Sequence, residues 1–284
     1  MIPQRNLSRL SNRLAKEGGR RIPEGVLERD YCLSWFLVGL SQSPLRRRLL
    51  FKGGTALKKC YFADYRFSED LDFTFCDEVP FETIQKELET AFAKAHGASG
   101  VVLRYARADR NVHANSHTFY LAYEGPLPGP PGGREVKVDI TIREEVVFPV
   151  EERPVLQGYE EYEDIPESAV VRVYSLKEMA AEKVLAVTDR ARNEPRDLYD
   201  IWYLCEEGHV ELAELMDVID RKLAFRGQSL EAVRGQLETK EARLRALWSR
   251  RLAGQMAVLP EFDGVFRSVR RAFRQAGLGG GAGL

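Results

Sequence analysis

The residues whose types and spacing could do chemistry are concentrated between Phe51 and Phe75. This stretch begins with Gly53, Gly54 and Thr55, and a segment that can form a helix follows them. The first N–H groups of a helix have no partner within the helix and carry a partial positive charge. A glycine turn with a hydroxyl can therefore bind a phosphate group at such a position.

Two aspartates close the same stretch. Asp70 and Asp72 are one residue apart in an apolar run, and Leu71, Phe73 and Phe75 alternate with them. Residues at this spacing in a strand point to the same side, so the carboxylates should share one face and the apolar residues the other. Paired carboxylates suit a hard cation such as Mg²⁺, which often also binds substrate phosphates. The turn and the aspartates together predict nucleotide binding with phosphoryl or nucleotidyl transfer.

The same residues resemble a known family signature. The order Gly-Gly-Thr-Ala-Leu, Arg-x-Ser and Asp-x-Asp is similar to the motif of the AbiEii/MenT nucleotidyltransferase-like toxins, within the polymerase-β-type nucleotidyltransferase superfamily. The resemblance implies that Asp70 and Asp72 are catalytic and bind metal. It also implies nucleotide binding by the other residues of the motif, which are Gly53, Gly54, Thr55, Arg66 and Ser68.

A second strand pattern lies at residues 136–142, where polar residues alternate with aliphatic ones and Asp139 is on the polar side. Taken alone, Asp139 could simply be exposed to solvent. Transfer with two metal ions needs carboxylates that the ions share, and the resemblance places an aspartate strand of this type here. We therefore expect Asp139 to join Asp70 and Asp72 as a catalytic metal ligand, with Mg²⁺ as the cofactor and Mn²⁺ as an alternative.

A later helix carries a further candidate. Ser175 and Glu178 have the spacing of a capping box that starts a helix, and Lys183 lies at the edge of the apolar face that follows. Lys183 could merely lay its stem along the surface and reach water. Family members have a lysine on this helix and then Arg-Asp-hydrophobic-Tyr-Asp, which corresponds here to Arg196–Asp200. The resemblance therefore implies that Lys183 binds the nucleotide phosphates and takes part in catalysis.

The segment after that helix offers more than one role for its residues. Arg196 is expected to bind phosphate, because a planar guanidinium matches phosphate oxygens. Asp197, another candidate catalytic residue, could orient Lys183 or Arg196, or act as a base on the acceptor. Asp200 is expected to be structural. Of two nearby arginines, Arg192 is the better spaced to match an arginine that relatives have before this segment.

Composition and charge restrict the class of protein. The chain has 284 residues and a formal net charge of -1, so nucleic-acid binding would need a local basic patch. The four cysteines lie in apolar contexts without C-x-x-C spacing, which predicts buried free thiols in a reducing compartment. No apolar run is long enough to span a membrane, and no secretory signal is recognisable. We therefore expect a cytoplasmic protein without membrane contact.

The apolar periodicity predicts the elements that position these groups. Residues 125–133 are expected to connect a hairpin, and residues 144–168 to be irregular. Helices are predicted at 1–18, 23–40, 55–62 and 80–95, and strands at 49–52, 71–75, 101–105, 118–123, 136–142 and 170–174.

The fold class expected from these elements and from the resemblance is α+β. Residues 1–170 would form a polymerase-β-like nucleotidyltransferase core, a mixed sheet with flanking helices. Residues 171–284 would form a C-terminal helical domain that completes the nucleotide cleft. This second domain ends in an arginine-rich region in which Trp248, Phe266 and Phe273 are interleaved. Such a region could hold an RNA backbone or could be the solvated face of a helical bundle, and the pattern leaves both open.

The resemblance implies a metal-dependent nucleotidyltransferase. It would move a nucleoside monophosphate from a nucleoside triphosphate to an RNA hydroxyl, at a tRNA acceptor end, as the toxin of a toxin–antitoxin pair with a cognate antitoxin as partner. One alternative is nucleotidyl or phosphoryl transfer to a protein hydroxyl. The other is a nucleotide- or RNA-binding module without catalysis. The three carboxylates count against this last alternative, because binding alone needs fewer of them.

Overall fold

A computed structural model describes residues 1–76, 79–110, 114–130 and 132–280. Within these residues seven strands form one sheet: β1 (Leu49–Lys52), β2 (Leu71–Phe75), β3 (Val102–Ala108), β4 (Ser116–Glu124), β5 (Arg134–Thr141), β6 (Glu151–Pro154) and β7 (Val170–Val173). The α-helices that accompany the strands before residue 175 are α1 (Gln4–Gly18), α2 (Glu24–Ser41), α3 (Leu45–Arg48), α4 (Gly53–Ala56) and α5 (Phe81–Ser99). The later helices are α6 (Leu176–Thr188), α7 (Pro195–Glu206), α8 (Met216–Phe225), α9 (Leu230–Val233), α10 (Gln236–Thr239), α11 (Glu241–Leu252) and α12 (Phe262–Gln275).

The sheet is mixed. Its strand order is β3-β4-β5-β2-β1-β7-β6, with β5 parallel to β2 and β7 parallel to β1. The remaining neighbours pair antiparallel. The predicted α+β class with a mixed sheet, flanking helices and a helical C-terminal region is confirmed.

One face of the central strands is apolar because every second residue is apolar. Phe51, Phe73 and Ile140 are register partners across β1, β2 and β5, and all three are buried. Helices α2 and α5 pack together, and Phe36 of α2 contacts both Phe73 and Phe92 with ring centroids 6.4 Å apart. The opposite face of the same strands is therefore the one that presents their polar residues.

The chain forms two compact units. The sheet unit consists of Met1–Glu144, Val150–Tyr174 and Gln255–Ala257, and the helical unit consists of Glu145–Pro149, Ser175–Gly254 and the chain from Val258 onward. The sequence pattern predicts a single boundary at residue 170. In the structure a short segment of each half belongs to the other unit.

The helical unit is built on α6 and α7, which pack against each other. Ser175 caps α6 by accepting a hydrogen bond from the backbone N–H of Glu178. The Glu178 carboxylate accepts bonds from the N–H groups of Val147 and Phe148 at 3.1 and 2.9 Å, and Lys222 Nζ lies 2.7 Å from it. These bonds explain why the segment Glu145–Pro149 belongs to this unit.

Several predicted elements differ from the structure in detail. The helix predicted at 55–62 begins at Gly53 and continues after Ala56 as a π-helical turn, Leu57–Tyr61. The region predicted to be irregular contains β6, an edge strand whose charged sequence gives no apolar alternation. No helix in the described part of the chain combines the length and apolar composition that a membrane span requires.

The four cysteines are free thiols, but their predicted burial is only partly correct. Cys32 and Cys60 are buried, Cys205 is partly exposed, and Cys76 is exposed. Cys76 follows the last residue of β2, where the chain leaves the sheet, and its sulfur lies 3.2 Å from Arg172 Nη1.

Candidate active site

The glycine turn after β1 leads directly into α4. Gly53 has φ +79°, a left-handed conformation that favours glycine. A methyl group on Gly53 would overlap the carboxylate of Asp72. The backbone at this turn therefore lies against Asp72, which only a residue without a side chain permits.

Gly54 makes a similar close approach to two other motif residues. A methyl group on Gly54 would lie 2.5 Å from Arg66 Nη2 and 3.3 Å from Ser68 Oγ. The structure thus brings the predicted nucleotide-binding residues of the turn and of the Arg-x-Ser segment together. Arg66 is only 2% exposed, so its guanidinium is held within the protein at this point.

Thr55 contributes to the site through a hydrogen bond to the backbone of Asp70. Its buried hydroxyl donates a hydrogen bond to the main-chain carbonyl of Asp70. Asp70 is the residue immediately before β2, so this bond fixes the start of the strand against the start of α4. In the structure the Thr55 hydroxyl positions Asp70.

A row of polar residues crosses the sheet next to the turn. Lys52 on β1 is the register partner of Asp72 on β2, Asp72 is the partner of Asp139 on β5, and Asp139 is the partner of Thr118 on β4. Register partners share a face. We call Lys52, Asp72, Asp139 and Thr118 the polar row.

Asp139 is held by two neighbouring side chains. Thr118 donates to Asp139 Oδ1, and Lys137 Nζ lies 2.7 Å from Asp139 Oδ2. Burial lowers the pKa of Lys137, but its hydrogen bond and charge interaction with Asp139, with a contribution from the charge of Asp70, raise that pKa above its ordinary value. Asp70 is thus close enough to act on the ammonium that binds Asp139.

The carboxylate oxygens of the polar row are suitable ligands for a hard cation. Asp72 and Asp139 project from adjacent strands on one face, and both are partly exposed. Among the described residues, no group of three or more His, Cys, Asp or Glu side chains is arranged to hold a metal ion by itself. Mg²⁺ usually takes one or two carboxylates and fills its other positions with water and substrate phosphates. The residues would therefore fit a magnesium ion that completes its coordination with water or other oxygen ligands.

The helical unit holds the other predicted site residues. Lys183 Nζ on α6 lies 2.8 Å from Asp197 Oδ1 and 2.7 Å from Asp200 Oδ2, both on α7. Arg192 Nε lies 2.6 Å from Asp197 Oδ2. We call Lys183, Arg192, Asp197 and Asp200 the ion-pair cluster. Its two carboxylates are 1% and 0% exposed, so its charges are balanced inside the unit.

The electrostatics of the ion-pair cluster keep Asp197 ionised. Burial raises the pKa of Asp197, but the charges of Lys183 and Arg192 and their hydrogen bonds outweigh this effect and lower the pKa below its ordinary value. A carboxylate with a lowered pKa is a weak base. Arg196, also on α7, is partly exposed, and its Nε lies 3.7 Å from Glu194 Oε2.

A protein-family match covers most of the chain, including the residues described above. The family described as the nucleotidyl transferase AbiEii toxin of a type IV toxin–antitoxin system matches residues 35–275. The match includes the glycine turn, the polar row and the ion-pair cluster. The chain belongs to the AbiEii family. An AbiEii nucleotidyltransferase toxin has a nucleotide as substrate and an antitoxin as partner.

The fold of this AbiEii protein is similar to that of a solved toxin. MenT4, a nucleotidyltransferase toxin from Mycobacterium tuberculosis, superposes with a TM-score of 0.54 at 19% identity. The similarity covers 93% of this chain and 88% of MenT4. At this identity the likeness concerns the fold. No curated protein matches the sequence.

Two residues that support the AbiEii motif were not identified from the sequence. Gln255 Oε1 accepts a hydrogen bond from Arg66 Nη1 at 3.2 Å, and the Gln255 carbonyl accepts one from the N–H of Phe67 at 2.7 Å. Lys58 Nζ donates to the carbonyls of Ala63 and Tyr65, each at 3.0 Å. Burial lowers the pKa of Lys58 to about 8. These contacts fix the loop that carries Arg66 and Ser68.

A third supporting residue lies in the helical unit. Lys240 Nζ donates to the carbonyls of Val187 and Arg192 at 2.8 and 2.7 Å, and to the carbonyl of Asp189. Lys240 provides hydrogen bonds to carbonyl groups that lack a helical partner, at the end of α6 and in the turn that contains Arg192. In the sequence Lys240 is one of many charged residues near two short helices, and no local signal marks it.

The aromatic residues of the arginine-rich region do not accompany its arginines on the surface. Trp248, Phe266 and Phe273 are 3%, 4% and 0% exposed, so they belong to the core of the helical unit. Arg250, Arg267 and Arg274 are exposed. The interleaving in the sequence reflects amphipathic helices with an apolar side and a basic side.

Proposed function

We propose that this AbiEii protein is a Mg²⁺-dependent enzyme that transfers a nucleoside monophosphate from a nucleoside triphosphate to a hydroxyl of RNA, at the acceptor end of tRNA. The observation that supports this most strongly is the polar row beside the glycine turn. The glycine turn lies against Asp72, and Asp72 and Asp139 share one face of the sheet. This arrangement would suit a metal-bound triphosphate.

Each part of the motif has a role in this proposal. The backbone at Gly53 and Gly54 would bind the phosphate tail, with Arg66 and Ser68 as side-chain donors. Thr55 would hold the site's shape through Asp70. Asp72 and Asp139 would be the principal metal ligands, with Asp70 beside them. When bound, Mg²⁺, or Mn²⁺ in its place, supplies charge stabilisation to the reacting phosphate oxygens.

The reaction would form a bond between the acceptor oxygen and the α-phosphorus. The bond from the α-phosphorus to the oxygen that bridges to the β-phosphorus would break, and pyrophosphate would leave. A carboxylate beside the polar row would accept the hydroxyl proton. Asp197 is not our candidate for this base, because its pKa is lowered and both its oxygens are held by cations.

The ion-pair cluster would serve the reaction indirectly. Lys183 is shared by Asp197 and Asp200, so its ammonium joins α6 to the start of α7. Arg196 lies on that first turn of α7, and its planar guanidinium has the shape that suits phosphate oxygens. Lys183 would therefore act as a positioning residue that holds the first turn of α7, which carries Arg196.

A labelling assay tests the proposed function. The protein is incubated with Mg²⁺, total tRNA and each nucleoside triphosphate in turn, labelled at the α-phosphate. We expect label in RNA with at least one nucleotide and none with Asp72→Asn. Label in protein would overturn the RNA acceptor and favour a protein hydroxyl. Absence of label from both, with nucleotide still bound, would overturn catalysis and favour a binding module.

A further inference from the structure

Helix α12 carries four arginines on one side. Arg267, Arg270, Arg271 and Arg274 are exposed, and their spacing of three, one and three residues places them along one face of a helix. We call these four residues the arginine stripe. The opposite face is buried and consists of Phe262, Val265, Phe266, Val269 and Phe273.

Among the described residues the arginine stripe forms few ion pairs, although Glu206 and Glu211 line a cavity together with Arg271. In the part of the chain that the structure describes, Arg267, Arg271 and Arg274 have no carboxylate within ion-pair distance, and Arg270 Nε lies 3.9 Å from Glu238 Oε1. Asp263, the acidic residue in the first turn of α12, is bound by Arg245 at 2.6 Å. The stripe is thus a local basic surface on a chain whose net charge is -1.

The surroundings of the stripe indicate what it could bind. Trp248, Phe266 and Phe273, the aromatic residues interleaved with the arginines, are buried, so none of these three offers a ring on which an unpaired base could stack. Guanidinium groups bind phosphate oxygens in a bidentate manner. From Arg267 to Arg274 the helix rises by about 10 Å, enough to reach more than one phosphate of a strand. These features favour contact with a nucleic-acid backbone over contact with bases.

We infer that the arginine stripe binds the phosphate backbone of a base-paired RNA stem, and that it is the docking surface for the acceptor RNA. This inference rests on the proposed function for the choice of RNA. Binding through phosphates carries no sequence preference, because the backbone is the same for every base. Selection among RNAs would then depend on where their stems place a reactive hydroxyl.

The test compares two triple variants that remove the same amount of charge. Arg267→Gln, Arg271→Gln and Arg274→Gln weaken the stripe. Arg5→Gln, Arg9→Gln and Lys16→Gln remove three exposed charges from α1, a helix of the sheet unit, and serve as the control. The binding of a fluorescent RNA stem-loop is measured without nucleotide over a series of KCl concentrations.

We expect the stripe variant to bind the stem-loop more weakly. The magnitude of the slope of log affinity against log salt should fall by about 2.7, since three phosphate contacts are lost and each contact to a duplex contributes about 0.9. The control should keep the wild-type slope. An unchanged slope in the stripe variant, at wild-type thermal stability, would overturn the inference. Equal competition by poly-glutamate would also overturn it, in favour of an acidic protein partner.

This test is separate from the labelling assay. It measures RNA binding without transfer, so a protein that labels no RNA can still show stripe-dependent binding. Conversely, RNA labelling that is unaffected by the stripe variant, together with an unchanged salt slope, would reject only the docking surface.

Discussion

The polar row and the ion-pair cluster contain the same kinds of side chain in opposite situations. In the polar row, Asp72 and Asp139 share one face of the sheet and are partly exposed. In the ion-pair cluster, Asp197 and Asp200 are fully buried, and Lys183 and Arg192 balance their charge. Asp139 is paired with Lys137, but it and Asp72 keep accessible surface at which a metal ion could bind, whereas Asp197 and Asp200 are enclosed by protein.

This difference predicts different roles for the two regions. The polar row is expected to bind a ligand, and the ion-pair cluster is expected to stabilise the fold. Removing one partner of a buried ion pair leaves an uncompensated charge and is strongly destabilising. Removing a partly exposed carboxylate has little effect on stability, because water replaces its contacts. The two regions should therefore respond to the same substitution in opposite ways.

The largest effect is expected from Asp72→Asn. Transfer of label to RNA should fall by about a thousand-fold, because the variant lacks one ligand of the metal ion. A metal ion at such a site contributes several kcal/mol of charge stabilisation to the transition state. The melting temperature should stay within about 3 °C of the wild type. The control is Asp64→Asn, an exposed aspartate in the preceding loop. Full activity in Asp72→Asn and in Asp70→Ala would remove the basis for the metal assignment.

Asp197→Asn is the corresponding change in the ion-pair cluster. We expect it to lower the free energy of unfolding by about 3 kcal/mol, because Lys183 and Arg192 lose a buried partner. Urea denaturation followed by circular dichroism measures this loss. Asp220→Asn, an exposed aspartate on α8, should change stability by no more than about 0.5 kcal/mol. Equal stability of the two variants would contradict a structural role for the cluster.

Gly54→Ala tests whether the turn and Arg66 act together. The added methyl group would force Arg66 to move, and a small misplacement of a binding group can reduce kcat/KM by about a hundredfold. The loss should be in KM for the nucleotide more than in kcat. Gly25→Ala on α2 is the control, since nothing lies within 4 Å of its added methyl group. Equal KM values in both variants would mean that Arg66 does not bind the nucleotide.

Gln255→Leu should have a smaller effect of the same kind. It removes one hydrogen bond to a charged group, which corresponds to about a tenfold rise in KM for the nucleotide. The backbone bond from Phe67 to residue 255 does not depend on the side chain and should remain. Gln255→Glu, which retains an acceptor for Arg66, should restore most of the affinity. A rise in KM of the same size in both variants would argue against the hydrogen bond as the cause.

The smallest effect concerns acid stability. The pKa of Asp197 is lower in the folded protein than in the unfolded chain. Its contribution to stability is therefore complete above the unfolded pKa of about 3.9 and is lost as the pH falls through the folded pKa. Asp197→Asn should show a shallower loss of stability below about pH 4 than the wild type. Identical acid dependence in urea titrations would contradict this assignment.

The central strands could be predicted because apolar and polar residues alternate in them. The strands predicted at 49–52 and 71–75 have the bounds of β1 and β2. The sequence pattern and the family resemblance also group Asp139 with Asp70 and Asp72, and in the structure Asp72 and Asp139 are register partners. Strand β6 was missed because edge pairing with β7 defines it, and its residues Glu151–Pro154 contain no apolar alternation.

The supporting residues could not be predicted for a different reason. Gln255 is 189 positions from Arg66 in the sequence, so only the tertiary structure brings them together. Lys58 and Lys59 look like solvated residues of a helix, yet both are buried. Lys59 is held by Asp30 at 2.7 Å and Lys58 by backbone carbonyls. Burial of such lysines depends on partners that no local pattern reveals.

A crystal structure with Mn²⁺ and a non-hydrolysable nucleoside triphosphate tests the central claim most directly. Anomalous scattering locates the metal without reference to the surrounding residues. We expect a peak coordinated by the carboxylate of Asp72, with the triphosphate against Gly53 and Gly54. A metal and a triphosphate bound elsewhere, with the polar row in contact with neither, would contradict the claim.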